Sequence, residues 1–338
     1  MKTLICNEPN SIEYIECPIP EIESNEVLLK INSVGICGTD IHAYAGRQPF
    51  FSYPRVLGHE ICGTVEKIGE KVTKAEVAKR YSVIPCIPCG VCPACEEGKT
   101  NCCENVSLYG VHQDGGFTEY LAVLEDNLVL LPDNVSNSKG ALVECFAISA
   151  HAVRRAQLTG ENNVLVVGAG PIGLAAAAVI KAEGHNVVIV DVAEQRLTWA
   201  ADKLQTATLN ALSETYVDDI RSQFNGQLAD VVFDATGYDK SMTNAVNLIR
   251  NGGKLVFIGF TKGELAFHNP TFHMKETTLM SSRNATRQDF ERVIELMEEG
   301  KISESMMKNR DYDFHTFGNT YKEDVVENKS LVKGVINF

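Results

Sequence analysis

From Met1 to about residue 130 the chain is built of short apolar–polar alternations broken by Gly and Pro. Residues 27–33 and 63–68 show a period of two most plainly. That period predicts half-buried strands, and the punctuation predicts turns between them. Helical spacing is scarce here, so this stretch is expected to be an all-β, barrel-like domain. A cysteine-rich lobe interrupts it at residues 86–103.

The pattern changes near Leu142. Residues 147–156 read as helix. Short apolar runs at 164–167, 187–190, 231–233, 255–258 and 278–280 then alternate with helical runs such as 174–182 and 194–203. This alternation predicts parallel βαβ units. A polar helix at 288–299 and a strand at 332–338 follow. The fold class is therefore α/β: a β domain beside a doubly wound parallel sheet.

Gly168-Ala169-Gly170-Pro171-Ile172-Gly173 follows an apolar strand and opens an alanine-rich helix. In that setting the G-x-G-x-x-G pattern binds a dinucleotide. The first glycine permits the turn, the second lets backbone approach a pyrophosphate, and the third lets helix pack on strand. Asp191 ends the next strand, where a carboxylate accepts ribose hydroxyls and repels a 2′-phosphate, so NAD is expected over NADP. Thr236 and Gly259 follow later strands, at the sheet edge where ligands bind. Arg196 is placed with this cofactor set.

The chain has 11 cysteines. An odd number argues against a disulfide framework. Cys89, Cys92, Cys95 and Cys103 offer four thiols at the close spacing of a tetrahedral structural zinc site, with Cys102 as a neighbouring rival. A second donor set is dispersed: Cys37 and His42 with Thr39 between them, then His59 and Glu60, then Glu144. A catalytic zinc takes about three protein ligands and keeps one open position.

At 338 residues, with a prior of roughly 150 per domain, two domains are expected. The net charge of −13 disfavours nucleic acid and anionic membrane as partners. The most apolar stretch, 164–180, is broken by glycines and Pro171 and is short for a span of ~20 residues. With no secretory signal read at the start, a cytoplasmic setting is expected.

These residues together resemble the zinc-dependent medium-chain dehydrogenase/reductase superfamily over essentially the full length. The resemblance is carried by Gly35-Ile36-Cys37-Gly38-Thr39-Asp40-Ile41-His42, Gly58-His59-Glu60, the four-cysteine lobe, Gly115-Gly116-Phe117-Thr118-Glu119-Tyr120 and the glycine fingerprint. It implies a GroES-like catalytic domain, 1–148 with 284–338, carrying the zinc lobe at 86–108. A Rossmann domain at 149–283 interrupts it, and the catalytic zinc is expected between the two. It assigns Cys103 as the fourth lobe ligand. It also assigns Cys37, His59 and either Glu144 or Glu60 to the catalytic zinc.

A ligating Glu144 points to the polyol and threonine dehydrogenase branches. Residues 42–54, 110–116, 146–155 and 282–286 further resemble bacterial L-galactonate and L-gulonate 5-dehydrogenases and their starvation-sensing relatives. The resemblance implies a hydride transfer from the C5 hydroxyl of a sugar acid to NAD, giving a keto-uronate such as D-fructuronate or D-tagaturonate. The neighbouring readings are a sorbitol- or xylitol-type polyol dehydrogenase, an L-threonine dehydrogenase and, from another class, a non-catalytic starvation-response regulator. Thr39 would take the hydroxyl proton and relay it through the cofactor ribose to His42. Arg283, Arg47 and His112 are the candidates for a substrate carboxylate and hydroxyls, since a guanidinium fork suits a carboxylate.

Relatives assemble as dimers or tetramers, often sheet edge to sheet edge, and residues 255–260 are the expected edge. Two departures stand out: Ala78-Lys79 where a Gly-Asp is usual, and Cys145 where proline is common. Residues 205–227 match weakly.

Overall fold

The structure, a computed structural model, describes residues 1–48 and 51–338. Pro49 and Phe50, part of the 42–54 stretch quoted above, lie outside the described residues. The chain divides into two units. The first comprises Met1–Glu144, Thr286–Gly300 and Lys308–Phe338, and the second Cys145–Ala285 and Lys301–Met307. Trp199 helps tie that last short segment to the second unit, its indole N–H donating to the Met306 carbonyl at 3.1 Å.

In the first unit the main sheet runs Leu128–Leu130, Arg80–Val83, Glu60–Ile68, Glu26–Gly35, Gly334–Asn337, Arg310–Asp313. Tyr120–Leu124 adds to the first half of Glu26–Gly35. That central strand buries Val27, Leu29, Ile31 and Val34 against Phe117 and Leu121 in one apolar core. Gly334–Asn337 returns antiparallel onto it, with Val335 opposite Gly35. On the other side Glu60 stands opposite Gly35. The register thus gathers three distant parts of the sequence around one glycine.

The second unit holds six parallel strands in the order Ala207–Asn210, Asn186–Asp191, Asn163–Val167, Ala229–Asp234, Ile249–Phe257, Thr278–Ser281. Residues 164–167 and 187–191 are buried throughout, the continuous apolar signature of strands covered on both faces. This is the expected Rossmann-type sheet.

Several elements differ from expectation. The helix Asn137–Ala156 begins well before residue 147. Residues 140–147 are all buried, so no polar face marks the helix in the sequence. Ser136 starts it, its Oγ accepting from the Lys139 N–H at 3.1 Å. The strand Ala207–Asn210 was hidden in the weakly patterned 205–227 segment because none of its residues is fully buried. Residues 255–260 do not form the sheet edge: Ile249–Phe257 is paired on both sides, and Thr278–Ser281 lies outside it. Ala78, the departure from Gly-Asp, sits in the left-handed region at φ +67, which costs an alanine roughly 1–2 kcal/mol relative to glycine. No helix among the described residues is long and apolar enough to cross a membrane.

Candidate functional site

The lobe rests on a small ribbon, Cys86–Ile87 paired with Ser107–Leu108. Between these strands the chain folds so that the sulfurs of Cys89, Cys92, Cys95 and Cys103 all lie within 4.8 Å of one another. Cys103 is 1% exposed and accepts the Cys89 N–H at 3.2 Å, whereas the adjacent Cys102 is exposed. Backbone N–H groups of Glu104 and Cys95 hold the Cys92 thiol below its usual range. None of the cysteines is in a disulfide among the described residues. Four converging thiols, two of them (Cys89 and Cys92) already biased toward thiolate by backbone N–H groups, fit a tetrahedral zinc.

The second donor set is built from two elements. Cys37 caps the helix Gly38–Tyr44, and His59 and Glu60 open the strand Glu60–Ile68. Donor atoms of Cys37, His59 and Glu60 lie within 4.8 Å of one another. Asp40, fully buried, organises them. One carboxylate oxygen accepts the Cys37 N–H at 2.9 Å, and the other accepts the Gly58 N–H at 3.0 Å. The latter oxygen is also 3.7 Å from His59 Nδ1. Burial pushes the His59 imidazole down, but Cys37 and Asp40 more than offset this and hold it well above its usual value. An anionic surround of this kind favours a bound cation, proton or metal alike.

Glu60 is held from behind. Its Oε1 accepts from the ammonium of Lys333, and both side chains are almost fully buried. Its Oε2 is buried without a hydrogen-bond partner, as is His59 Nδ1. The orphaned Glu60 oxygen, beside a thiol and an imidazole, is what a metal would satisfy, while His59 Nδ1 faces the Asp40 carboxylate. Space for the carboxylate comes from Gly35: a Cβ there would stand 2.0 Å from Glu60 Oε2. Glu144 is buried on the helix Asn137–Ala156, outside the 4.8 Å cluster. Burial pushes its carboxyl up; His59 draws it down, while Glu60 raises it.

Thr39 and His42 lie on the helix that Cys37 caps, three residues apart and so on one face. Thr39 is half-buried and His42 exposed. Arg47 follows that helix, its N–H bonded to the His42 carbonyl at 2.8 Å. His112 sits in an exposed turn, and its Nδ1 accepts the Leu108 N–H at 3.1 Å. The loop running on from that turn packs on the metal-side backbone: Gly116 N–H reaches the Gly58 carbonyl at 2.7 Å. Arg283 belongs to the second unit and is exposed, just past Thr278–Ser281.

In the second unit, Gly168 turns at φ +104 and a Cβ on Gly173 would lie 1.7 Å from the Gly168 carbonyl oxygen, so both positions require glycine. A cavity of about 460 Å³ opens there, lined by Gly168, Gly170, Asp191, Arg196 and Thr236 among others. Pro171, Ile172 and Gly173 open the helix Pro171–Ala182 and Gly259 packs against Gly237, all four outside the cavity lining. Asp191 is fixed by two backbone donors, Ala169 at 2.6 Å and Ala193 at 2.9 Å. The sequence reading missed Tyr216 and Tyr238 in this lining. Tyr216 lies in the weakly matched segment, while Tyr238 directly follows Thr236-Gly237 and was legible by position.

The sequence reading also passed over Asp40 and Lys333. Asp40 stands at the third helical position after Cys37, where a carboxylate caps a helix, and that spacing is the signal. Lys333 carried no local signal, because only the strand register brings it to Glu60.

A medium-chain, zinc-type alcohol dehydrogenase is defined by this pairing of folds and donor sets, and the chain belongs to that family. Residues 23–133 match the alcohol dehydrogenase GroES-like domain, and residues 171–299 match the zinc-binding dehydrogenase domain. Zinc and NAD are the cofactors expected of such a member. The chain is 52% identical to L-galactonate-5-dehydrogenase of Escherichia coli, covering 100% of this chain and 99% of that one. It is 33% identical to the starvation-sensing protein RspB of Escherichia coli, again over 100% and 99% of the two chains. A crystal structure of an RspB alcohol dehydrogenase from Escherichia coli complexed with NADH superposes with a TM-score of 0.92, at 31% identity over 100% and 99% of the chains.

Proposed function

We propose that this chain oxidises the C5 hydroxyl of a sugar acid, L-galactonate or L-gulonate, with NAD as acceptor, giving the corresponding keto-uronate. The observation that carries this reading is the full-length 52% identity to an L-galactonate-5-dehydrogenase. Cys37 and His59, with Glu60 or Glu144, would hold one zinc, and Cys89, Cys92, Cys95 and Cys103 a second. Gly168, Gly170, Asp191, Arg196 and Thr236 would hold NAD. When bound, the zinc supplies Lewis-acid polarisation of the alcohol and NAD supplies the hydride acceptor.

The chain's own residues then do the rest. Thr39 takes the hydroxyl proton, and His42, exposed on the same helix face, delivers it to water. Asp40 fixes the backbone of Cys37 and Gly58, so both donors stay aimed at one point. Arg283, Arg47 and His112 are proposed to bind the substrate's carboxylate and hydroxyls. In His112 the Leu108 N–H engages Nδ1, which leaves Nε2 as the proton-bearing donor. The enzyme is proposed to work as a homodimer or homotetramer in the cytoplasm.

The test follows NADH absorbance with zinc-replete protein against L-galactonate, L-gulonate, D-sorbitol, xylitol and L-threonine, each with NAD and NADP. Turnover confined to a hexonate with NAD supports the proposal and selects the epimer. Turnover with sorbitol, xylitol or threonine instead overturns the carboxylate assignment. Silence toward all five, with both zincs and NAD bound, favours a sensor over an enzyme.

A further inference from the structure

The parallel sheet has two ends, and the cofactor candidates occupy only the carboxyl ends of its strands. At the opposite end lies a second cavity of about 470 Å³, bounded by Leu228 and Ile249, where the strands Ala229–Asp234 and Ile249–Phe257 begin. Its polar lining is Arg221, Arg250 and Lys275 with the amides of Gln227, Asn247 and Asn251, and no carboxylate lines it.

The three cations are held in different ways. Lys275 is 8% exposed, and its ammonium donates to the carbonyls of Val246 at 2.9 Å and Ile249 at 2.6 Å. It is fixed in place, yet it meets only neutral acceptors there. Arg250 pairs through Nε with Asp230 at 2.5 Å, and its Nη1 donates to the Asn251 carbonyl at 2.8 Å. Arg221, in the last turn of the helix Tyr216–Gln223, is exposed and has no side-chain hydrogen bond or ion pair among the described residues. Burial and the charge of Arg221 both weaken the hold of Lys275 on its proton. Three cations against one paired carboxylate is an imbalance in a chain of net charge −13.

We propose that this cavity binds a small multivalent anion, a phosphate- or polycarboxylate-bearing metabolite, at a site separate from the cofactor's. Guanidinium forks with an immobilised ammonium and side-chain amides form the donor set that such anions require. An anion seated between Arg221 and Lys275 replaces a like-charge juxtaposition with two attractive pairs. The volume fits a small metabolite.

The test is calorimetric titration of the zinc-replete protein, saturated with NADH, using pyrophosphate and citrate as the two probes. The expected result is one site per chain for at least one probe, with NADH still bound. Pyrophosphate alone marks a phosphate ligand, and citrate alone marks a polycarboxylate. Arg221→Glu should weaken the preferred probe about tenfold or more, since charge reversal acts at close range. Arg221→Lys should retain most of the affinity, and both variants should bind NADH as the parent does. Three results would each overturn the proposal: no binding of either probe at millimolar concentration, equal affinity in Arg221→Glu, or release of the bound NADH by the probe.

Discussion

The first unit contains two clusters of metal-ligating donors, and they are built on opposite plans. The lobe draws four sulfurs from a single loop closed by a two-stranded ribbon. The Cys37, His59 and Glu60 cluster draws its donors from a helix cap and the start of a strand, with Asp40 and Lys333 behind them. The lobe spends all its donors on one another's neighbourhood and leaves none for a substrate. The dispersed cluster leaves buried atoms of His59 and Glu60 unsatisfied. A closed thiol set gives structure, whereas an incomplete mixed set supported from behind gives chemistry.

The contrast is broken most forcefully in the lobe. Cys95→Ser removes one of four thiols from a segment with little other core. Structural zinc binding supplies on the order of 10 kcal/mol to small domains of this kind. The expected outcome is loss of about one zinc per chain and new protease cleavage within residues 86–108, while the rest of the unit stays folded. A lobe that keeps both its zinc and its protease resistance would show that the four thiols do not form a metal site.

Next in size is the support behind Glu60. Lys333→Met leaves a buried carboxylate without its cation, which costs about 3–5 kcal/mol. Urea denaturation should show that loss, and the double variant Lys333→Met with Glu60→Gln should recover much of it. The lobe zinc should be untouched in both. An unchanged midpoint in Lys333→Met would mean that Glu60 finds another partner, and the comparison between a self-sufficient and a supported cluster would lose its footing.

How much of this was legible in the sequence follows from the same contrast. The lobe was readable because its four donors fall within a short stretch of chain. The glycine fingerprint was readable because its turn, strand and helix are contiguous, and Gly168 and Gly173 meet the steric demands inferred for them. The dispersed donors were readable one by one, but their convergence was not. The resemblance to known dehydrogenases supplied it. Lys333 and the role of Gly35 depend on the register of Gly334–Asn337 and Glu60–Ile68 against one central strand, a long-range pairing that no local pattern encodes. The helix start at Asn137 was misjudged because burial on all sides erases the periodicity on which such reading depends; the strand at 278–280 was legible, but its place outside residues 255–260 is a matter of strand order, which again no local pattern encodes.

The smallest effect is expected at Cys102, and it sharpens the comparison most finely. The spacing left Cys102 and Cys103 as rivals for the fourth lobe position. In the structure they part company: Cys103 is buried among the other three sulfurs and accepts a backbone N–H, while Cys102 faces solvent. A closed site has no use for a fifth thiol, because a tetrahedral ion is already satisfied. Cys102→Ser should therefore leave zinc content unchanged and shift stability by no more than about 0.5 kcal/mol, as for an ordinary surface substitution. Cys103→Ser should behave like Cys95→Ser. Zinc analysis of the two variants side by side decides the matter: loss of metal from Cys102→Ser but not from Cys103→Ser would reassign the ligand and show that the lobe is less rigidly closed than its geometry indicates.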